Sequence, residues 1–142
     1  MAENAHQAIL CELPDSTKYG ERYTALSIKL LELDKEIETM CKQSPRKSFF
    51  IYHPALTYLA RDYGLTQIAI EREGKEPSAK HLAQIIEQAR SEGVKHIFYQ
   101  SEFPASSVEI ICKDIEANAV EINPLEENIL DNIRQIATLI TE

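Results

Sequence analysis

The sequence predicts an α/β fold, a four-stranded parallel sheet of doubly wound (βα)4 type preceded by a short helix and one long helix. Three observations carry this reading. The runs Ser48–Tyr52, Leu65–Ile70, Val94–Tyr99 and Ala119–Ile122 are short and apolar without strict alternation, as strands covered on both faces read. Each run is followed by a segment whose apolar residues recur at helical spacing. Two of those segments close on a glycine, Gly64 and Gly93, which suits the left-handed position after a helix. Right-handed crossovers leave few arrangements, and strand order 2-1-3-4 is expected. The chain then divides into residues 1–46, two helices, and residues 47–142, the (βα)4 lobe.

In chain order, Ala2–Leu13 is rich in helix formers, with Ala5, Ala8, Ile9 and Leu13 on one side, and Pro14 ends it. Asp15 and Ser16 offer N-caps to a helix running from Thr17 to about Gln43. Tyr19, Tyr23, Leu26, Leu30, Leu33, Ile37 and Met40 recur along it at spacings of four and three, and Ile28 and Leu31 widen the stripe. At 1.5 Å per residue the helix is about 40 Å long. Ser44 to Lys47 break it and lead into the first strand. That strand must stop at His53, because Pro54 has no N–H for a ladder, whereas its fixed φ suits the first turn of a helix over Pro54–Tyr63. Glu71–Pro77, EREGKEP, is a charged loop. Ser78 caps a helix that buries Leu82, Ile85, Ile86 and Ala89, and Ser106 or Ser107 caps one that buries Val108, Ile111, Cys112 and Ile115. Asn123-Pro124 ends the fourth strand. The last helix spans about Glu126–Thr141, with Ile129, Ile133, Ile136 and Ile140 inward.

Composition excludes several classes. With 15 basic against 23 acidic residues the formal charge is −8, and no Lys/Arg cluster interleaves with aromatics, so nucleic acid is not an expected partner. No apolar run approaches the ~20 residues of a membrane span. The segment after Met1, AENAHQAIL, has neither the charged nor the apolar region of a secretory signal, which fits a cytosolic chain or a mature or truncated one. Cys11, Cys41 and Cys112 lack metal or redox spacing and read as small buried hydrophobes.

The carboxyl edge of a parallel sheet is where ligands bind. Four loops meet there, carrying His53, Glu71 to Pro77, Gln100 to Phe103, and Asn123. The four glycines form no phosphate-binding motif, no strand ends in the aspartate of a phospho-acceptor, and GxSxG is absent. A small enzyme or regulatory domain using His53 as acid or base, with Glu71 or Glu102, remains one reading.

The blocks YHPALTYLARDYGLTQIAIE, EGKEPSAKHLAQIIEQA, IFYQSEF and EINPL provide a second. They resemble, in order and spacing, the carboxyl-terminal lobe of the zinc and manganese solute-binding proteins of bacterial ABC transporters. The helix Thr17–Gln43 resembles the spine helix that crosses between that family's two lobes. The resemblance implies no enzymatic activity but capture of a metal ion between lobes and delivery to an ABC permease, in the periplasm or on a lipid anchor. It makes His53 the imidazole ligand of this lobe and puts Asn123 where many members carry an aspartate. It leaves Glu76, Gln100 and Glu102 behind the ligands or on the rim of the cleft. Asparagine is a weaker ligand than a carboxylate, and a site leaning on imidazoles favours zinc over manganese. The family's amino-terminal lobe, with its own histidine ligands, is missing from these 142 residues. His6, His81 and His96 do not replace it and read as surface or packing residues. One lobe alone is then expected to bind zinc weakly or not at all. Residues 1–43, left without that lobe, are expected to self-associate or fold back to cover Tyr19 and Tyr23.

Overall fold

The computed structural model describes residues 2–14, 17–72, 74–103 and 105–142, and the chain forms two compact units, Met1–Thr39 and Met40–Glu142. The first holds α1 (Ala2–Glu12) and most of α2 (Thr17–Gln43). The N-caps expected at Asp15 and Ser16 lie outside the described residues. The α1 helix folds back on α2, and the His6 ring stacks on Tyr23 with centroids 4.2 Å apart and planes 5° from parallel. None of the residues of α1 is buried. Cys11 is therefore exposed, against the expectation of a buried thiol. Along the α2 stripe Leu33 and Ile37 are buried, whereas Leu26 and Leu30 are exposed, as are Ile28 and Leu31.

The second unit is the four-stranded sheet. Its strands are β1 (Ser48–Ile51), β2 (Thr66–Ala69), β3 (His96–Gln100) and β4 (Asn118–Ile122), all parallel, in the expected order β2-β1-β3-β4. The period of two along β1 sends Phe50 and Tyr52 to one face and Phe49 and Ile51 to the other. Phe50 and Tyr52 join Ile70 and Ile97 in a core closed by Ile85 and Ala89 of α4 (Ala79–Ser91) and by Val108, Ile111 and Cys112 of α5 (Ala105–Ile115). On the other face Phe49 meets Phe98 edge to face at 6.4 Å, next to Leu139 and Ile140 of α6 (Ile129–Thr141). Right-handed crossovers put α3 (Thr57–Asp62) opposite α4 and α5 as well. Helices on both faces explain why the strands read as unbroken apolar runs.

Three helix starts differ from the sequence reading. The α3 helix begins at Thr57 rather than Pro54, because the chain first turns tightly, with the Ala55 N–H donating to the His53 carbonyl at 2.8 Å. The Gln67 side chain on β2 then accepts from the Leu56 N–H at 2.8 Å and ties the approach to α3 to the adjacent strand, although no side chain caps the helix itself. The α5 helix begins at Ala105, so Ser106 lies in its first turn instead of capping it. The α6 helix begins at Ile129 rather than Glu126, and Ile129, its first residue, is exposed instead of inward. Ser78 does cap α4, accepting from the His81 N–H at 3.3 Å.

Helices α3, α4 and α5 end alike. Leu65, Val94 and Ala117 donate to the carbonyls of Ala60, Ala89 and Cys112 at 2.8, 3.0 and 2.9 Å, the six-to-one bond of a Schellman motif. The preceding residue is left-handed each time: Gly64 (φ 68°), Gly93 (φ 60°) and Glu116 (φ 58°). Only the third pays the Cβ penalty. A Cβ on Gly64 would meet nothing within 4 Å, so Gly64→Ala carries the backbone cost alone. Urea unfolding should show Gly64→Ala destabilising by about 1 kcal/mol and Glu116→Gly stabilising by a similar amount. Equal midpoints for both variants would refute this account of the helix ends.

The thiols make a second test. Burial pushes both the Cys41 and Cys112 thiols up, Lys47 partly opposing it at Cys41 and Glu109 adding to it at Cys112. A thiol-selective reagent at pH 8 should label Cys11 quickly and Cys41 and Cys112 only on unfolding, with one equivalent read by mass spectrometry in the native state. Three equivalents at one rate would contradict the packing described.

Candidate metal centre

The carboxyl edge of the sheet is built by register. Ile51 pairs with Ala69, an offset of 18 residues kept along the whole β1–β2 ladder, and Ile51 pairs with Phe98 across β3, an offset of 47. The ladder continues past the strands. Ile70 N–H donates to the Ile51 carbonyl at 2.9 Å, Glu71 N–H to Tyr52 at 3.0 Å, and Tyr52 N–H to Phe98 at 2.8 Å. Carried two residues beyond Ile51, the same offsets put His53 between Glu71 and Gln100.

Both neighbours touch it. His53 Nδ1 lies 2.6 Å from Glu71 Oε1, and the Gln100 side-chain N–H₂ donates to the His53 carbonyl at 3.5 Å. Phe103, in the turn after β3 that closes with its N–H on the Gln100 carbonyl at 3.0 Å, stacks on the imidazole with centroids 5.1 Å apart and planes 22° apart. Tyr52 supports Phe103 from below at 5.2 Å. The imidazole is 44% exposed while the Glu71 side chain is only 6% exposed. The ring is thus held at Nδ1 and against Phe103 while nearly half of it stays exposed.

The remaining candidates lie on the loops of the same edge. Asn123 follows β4, and its side-chain oxygen accepts from the Leu125 N–H at 3.1 Å while its amide donates to Glu126 at 3.2 Å. Asn132 Nδ2 donates to the Asn123 carbonyl at 2.8 Å, so the residue organises the turn into α6. Glu102 is exposed in the β3–α5 turn. Glu76 is exposed too, on the rim of a hollow of about 150 Å³ shared with Tyr52, Ile70, Pro77, Leu82 and Ile110. Arg72 and Lys75 bridge across Gly74, closing the EREGKEP loop into a small hairpin at whose base Glu71 sits. His81 lies in the first turn of α4 and His96 opens β3 at the opposite edge. Among the described residues no three of His, Cys, Asp and Glu converge on one point. This edge thus offers a single well-held imidazole.

Sequence reasoning put Glu71 in the right loop without assigning it this contact, and it missed Phe103. The signal for Glu71 was present. Tyr52-His53 and Ile70-Glu71 each close an apolar run of similar length, and aligning those runs in parallel sets the two residues side by side. Nothing in the sequence marks Phe103 beyond an aromatic ring in a loop.

Comparison with known proteins places this architecture. The chain is 30% identical over 129 residues to the zinc-binding protein AdcA of Streptococcus pyogenes, spanning 89% of this chain and 25% of that one. It is 32% identical over 127 residues to the high-affinity zinc uptake system protein ZnuA of Bacillus subtilis, spanning 87% of this chain and 40% of that one. Among solved structures, a crystal structure of ZnuA superposes with a TM-score of 0.91 at 31% identity, over 96% of this chain and 54% of that one. The metal-dependent lipoprotein YcdH of Bacillus subtilis gives 0.76 at 28% identity, over 96% and 56%. The chain therefore spans about a quarter to somewhat over half the length of the relatives it matches. The family model for the periplasmic zinc-uptake complex component A, ZnuA, matches residues 1–142, so the chain belongs to that family.

Proposed function

We propose that residues 47–142 are the metal-binding lobe, and residues 1–46 the spine, of a zinc-binding protein that hands its ion to an ABC permease. The observation that carries this reading is the half-exposed His53 imidazole, tied down at Nδ1 on the open carboxyl edge of the sheet. A zinc site takes about four ligands. One imidazole is a share of such a site, to be completed by a second lobe of the kind the longer relatives have room for. Asn123 contributes if its side-chain oxygen leaves the Leu125 N–H, and Glu76, Gln100 and Glu102 line the approach. An imidazole without a companion carboxylate ligand favours zinc over manganese. The names of the relatives, zinc-binding proteins and a lipoprotein of uptake systems, support zinc as cargo and a periplasmic or lipid-anchored location. They give no support to His53 as an acid or base in an enzyme. The exposed apolar residues of the first unit, Ile9, Leu26 and Leu30 among them, support self-association through residues 1–43 when no second lobe is present.

Calorimetry with zinc chloride tests this. A single lobe lacks most donors, so the 142-residue chain should bind zinc with micromolar or weaker affinity, and His53→Ala should abolish what heat of binding there is. In a longer protein that holds both lobes the same substitution removes a direct ligand. It should then lower affinity by more than the ~10–100-fold typical of an outer-shell partner. Nanomolar one-to-one binding by the 142-residue chain, or indifference of the longer protein to His53→Ala, would contradict the reading.

A further inference from the structure

We propose that Glu71 is the positioning residue of this site: it holds His53 in the Nδ1–H tautomer, so that the lone pair of Nε2 is the one offered to the ion. The inference rests on His53 being a metal ligand. Its physical basis is the contact itself. A carboxylate has only acceptor positions, so the 2.6 Å approach of Glu71 Oε1 to Nδ1 requires the proton on Nδ1. Which ring nitrogen binds a metal is set by the hydrogen bond the other makes. A neutral imidazole free in water carries its proton mainly on Nε2, which would cover the donor that the open edge of the sheet exposes. Glu71 reverses that preference.

Three features mark the pair as built rather than incidental. The Glu71 side chain is 6% exposed, and a buried carboxylate is costly unless a partner satisfies it. Its backbone N–H is fixed on the Tyr52 carbonyl, so the ladder itself delivers the carboxylate to the ring. Phe103 stacks on the imidazole face and sets the plane in which the Nδ1–H meets Oε1. Once a cation sits on Nε2, the Nδ1–H becomes a stronger donor, and the carboxylate behind it stabilises the added charge. Glu71 thus acts through His53 without touching the ion.

The test is a two-bond ¹H–¹⁵N correlation spectrum of the His53 ring in the 142-residue chain, in the absence of metal, for the unsubstituted protein and for Glu71→Ala and Glu71→Gln. Backbone ¹H–¹⁵N dispersion confirms that each variant is folded, and the isosteric Gln variant covers the case in which Ala does not fold. The unsubstituted chain should show the Nδ1–H pattern. Glu71→Ala should move the ring to the Nε2–H pattern, and Glu71→Gln, whose amide offers both a donor and an acceptor, should populate both. A purely structural role for Glu71 would leave the tautomer unchanged in the folded variants, and that result, or an Nε2–H pattern in the unsubstituted chain, would overturn the proposal. Titration with zinc chloride should then shift Nε2, with affinity about ten- to a hundredfold lower in the variants. Zinc on Nδ1 would overturn the proposal as well. Absence of any zinc-dependent shift both in this chain at millimolar zinc chloride and in a longer protein that holds both lobes would instead overturn the metal-binding reading, while the tautomer spectra still decide the role of Glu71.

Discussion

The functional edge of this molecule depends on one register. The β1–β2 ladder keeps an offset of 18 residues from Ser48 and Thr66 through to the Glu71 N–H on the Tyr52 carbonyl. That offset, and no special loop conformation, is what brings a histidine and a buried carboxylate to 2.6 Å. Side chains alternate between faces with a period of two, so a slip of one residue would send Glu71 to the opposite face from His53. The register is in turn fixed by burial. Phe50, Ile51, Ile70 and Ile97 show no exposure at all, and a one-residue slip would exchange the faces on which a strand's side chains pack. The site therefore inherits its geometry from the hydrophobic core beneath it.

The helix ends carry that geometry outward. Three helices stop with the same hydrogen-bonded reversal, each of which drops the chain directly into the next strand at the amino edge. Connections at that edge are short and closed. At the carboxyl edge they are longer and polar, containing the Arg72–Lys75 hairpin, the turn that holds Phe103, and the turn organised by Asn123. The asymmetry follows from the sheet: all four strands point the same way, so the loops free to carry chemistry gather at one edge.

Much of this was legible in the residues. The span Thr17–Gln43 was readable to its ends because seven apolar residues at helical spacing leave one solution, and the strand order followed from alternation of runs and crossover handedness. What escaped was decided by neighbours distant in sequence. Pro54 looked like the first residue of a helix, but the chain first makes a tight turn at His53–Ala55, and Gln67 on the adjacent strand holds the Leu56 N–H just before the helix begins at Thr57. Ile129 fits the inward stripe of α6 by spacing, yet as the helix's first residue it is exposed. Cys11 shares a helix with apolar neighbours, but α1 buries none of its residues. His53 was found because a proline stops its strand, whereas its contact with Glu71 exists only once two strands are paired. Asn123 was singled out for its place at a strand end, and the structure adds a local role there, since its side-chain oxygen already serves the following turn.

On the proposed reading, a single imidazole on an open edge is one share of a metal site that other donors complete. The ring is already held by Glu71 and Phe103, so on that reading little ordering would be left to do at this ligand when further donors close on an ion. Zinc-edge anomalous diffraction from crystals of the chain soaked in zinc chloride addresses this directly. The account predicts an anomalous peak 2.0–2.1 Å from His53 Nε2, the usual zinc–imidazole distance, with the Glu71 contact to Nδ1 intact. A peak on Nδ1 with Glu71 displaced, or zinc bound elsewhere on the chain with His53 bare, would contradict it.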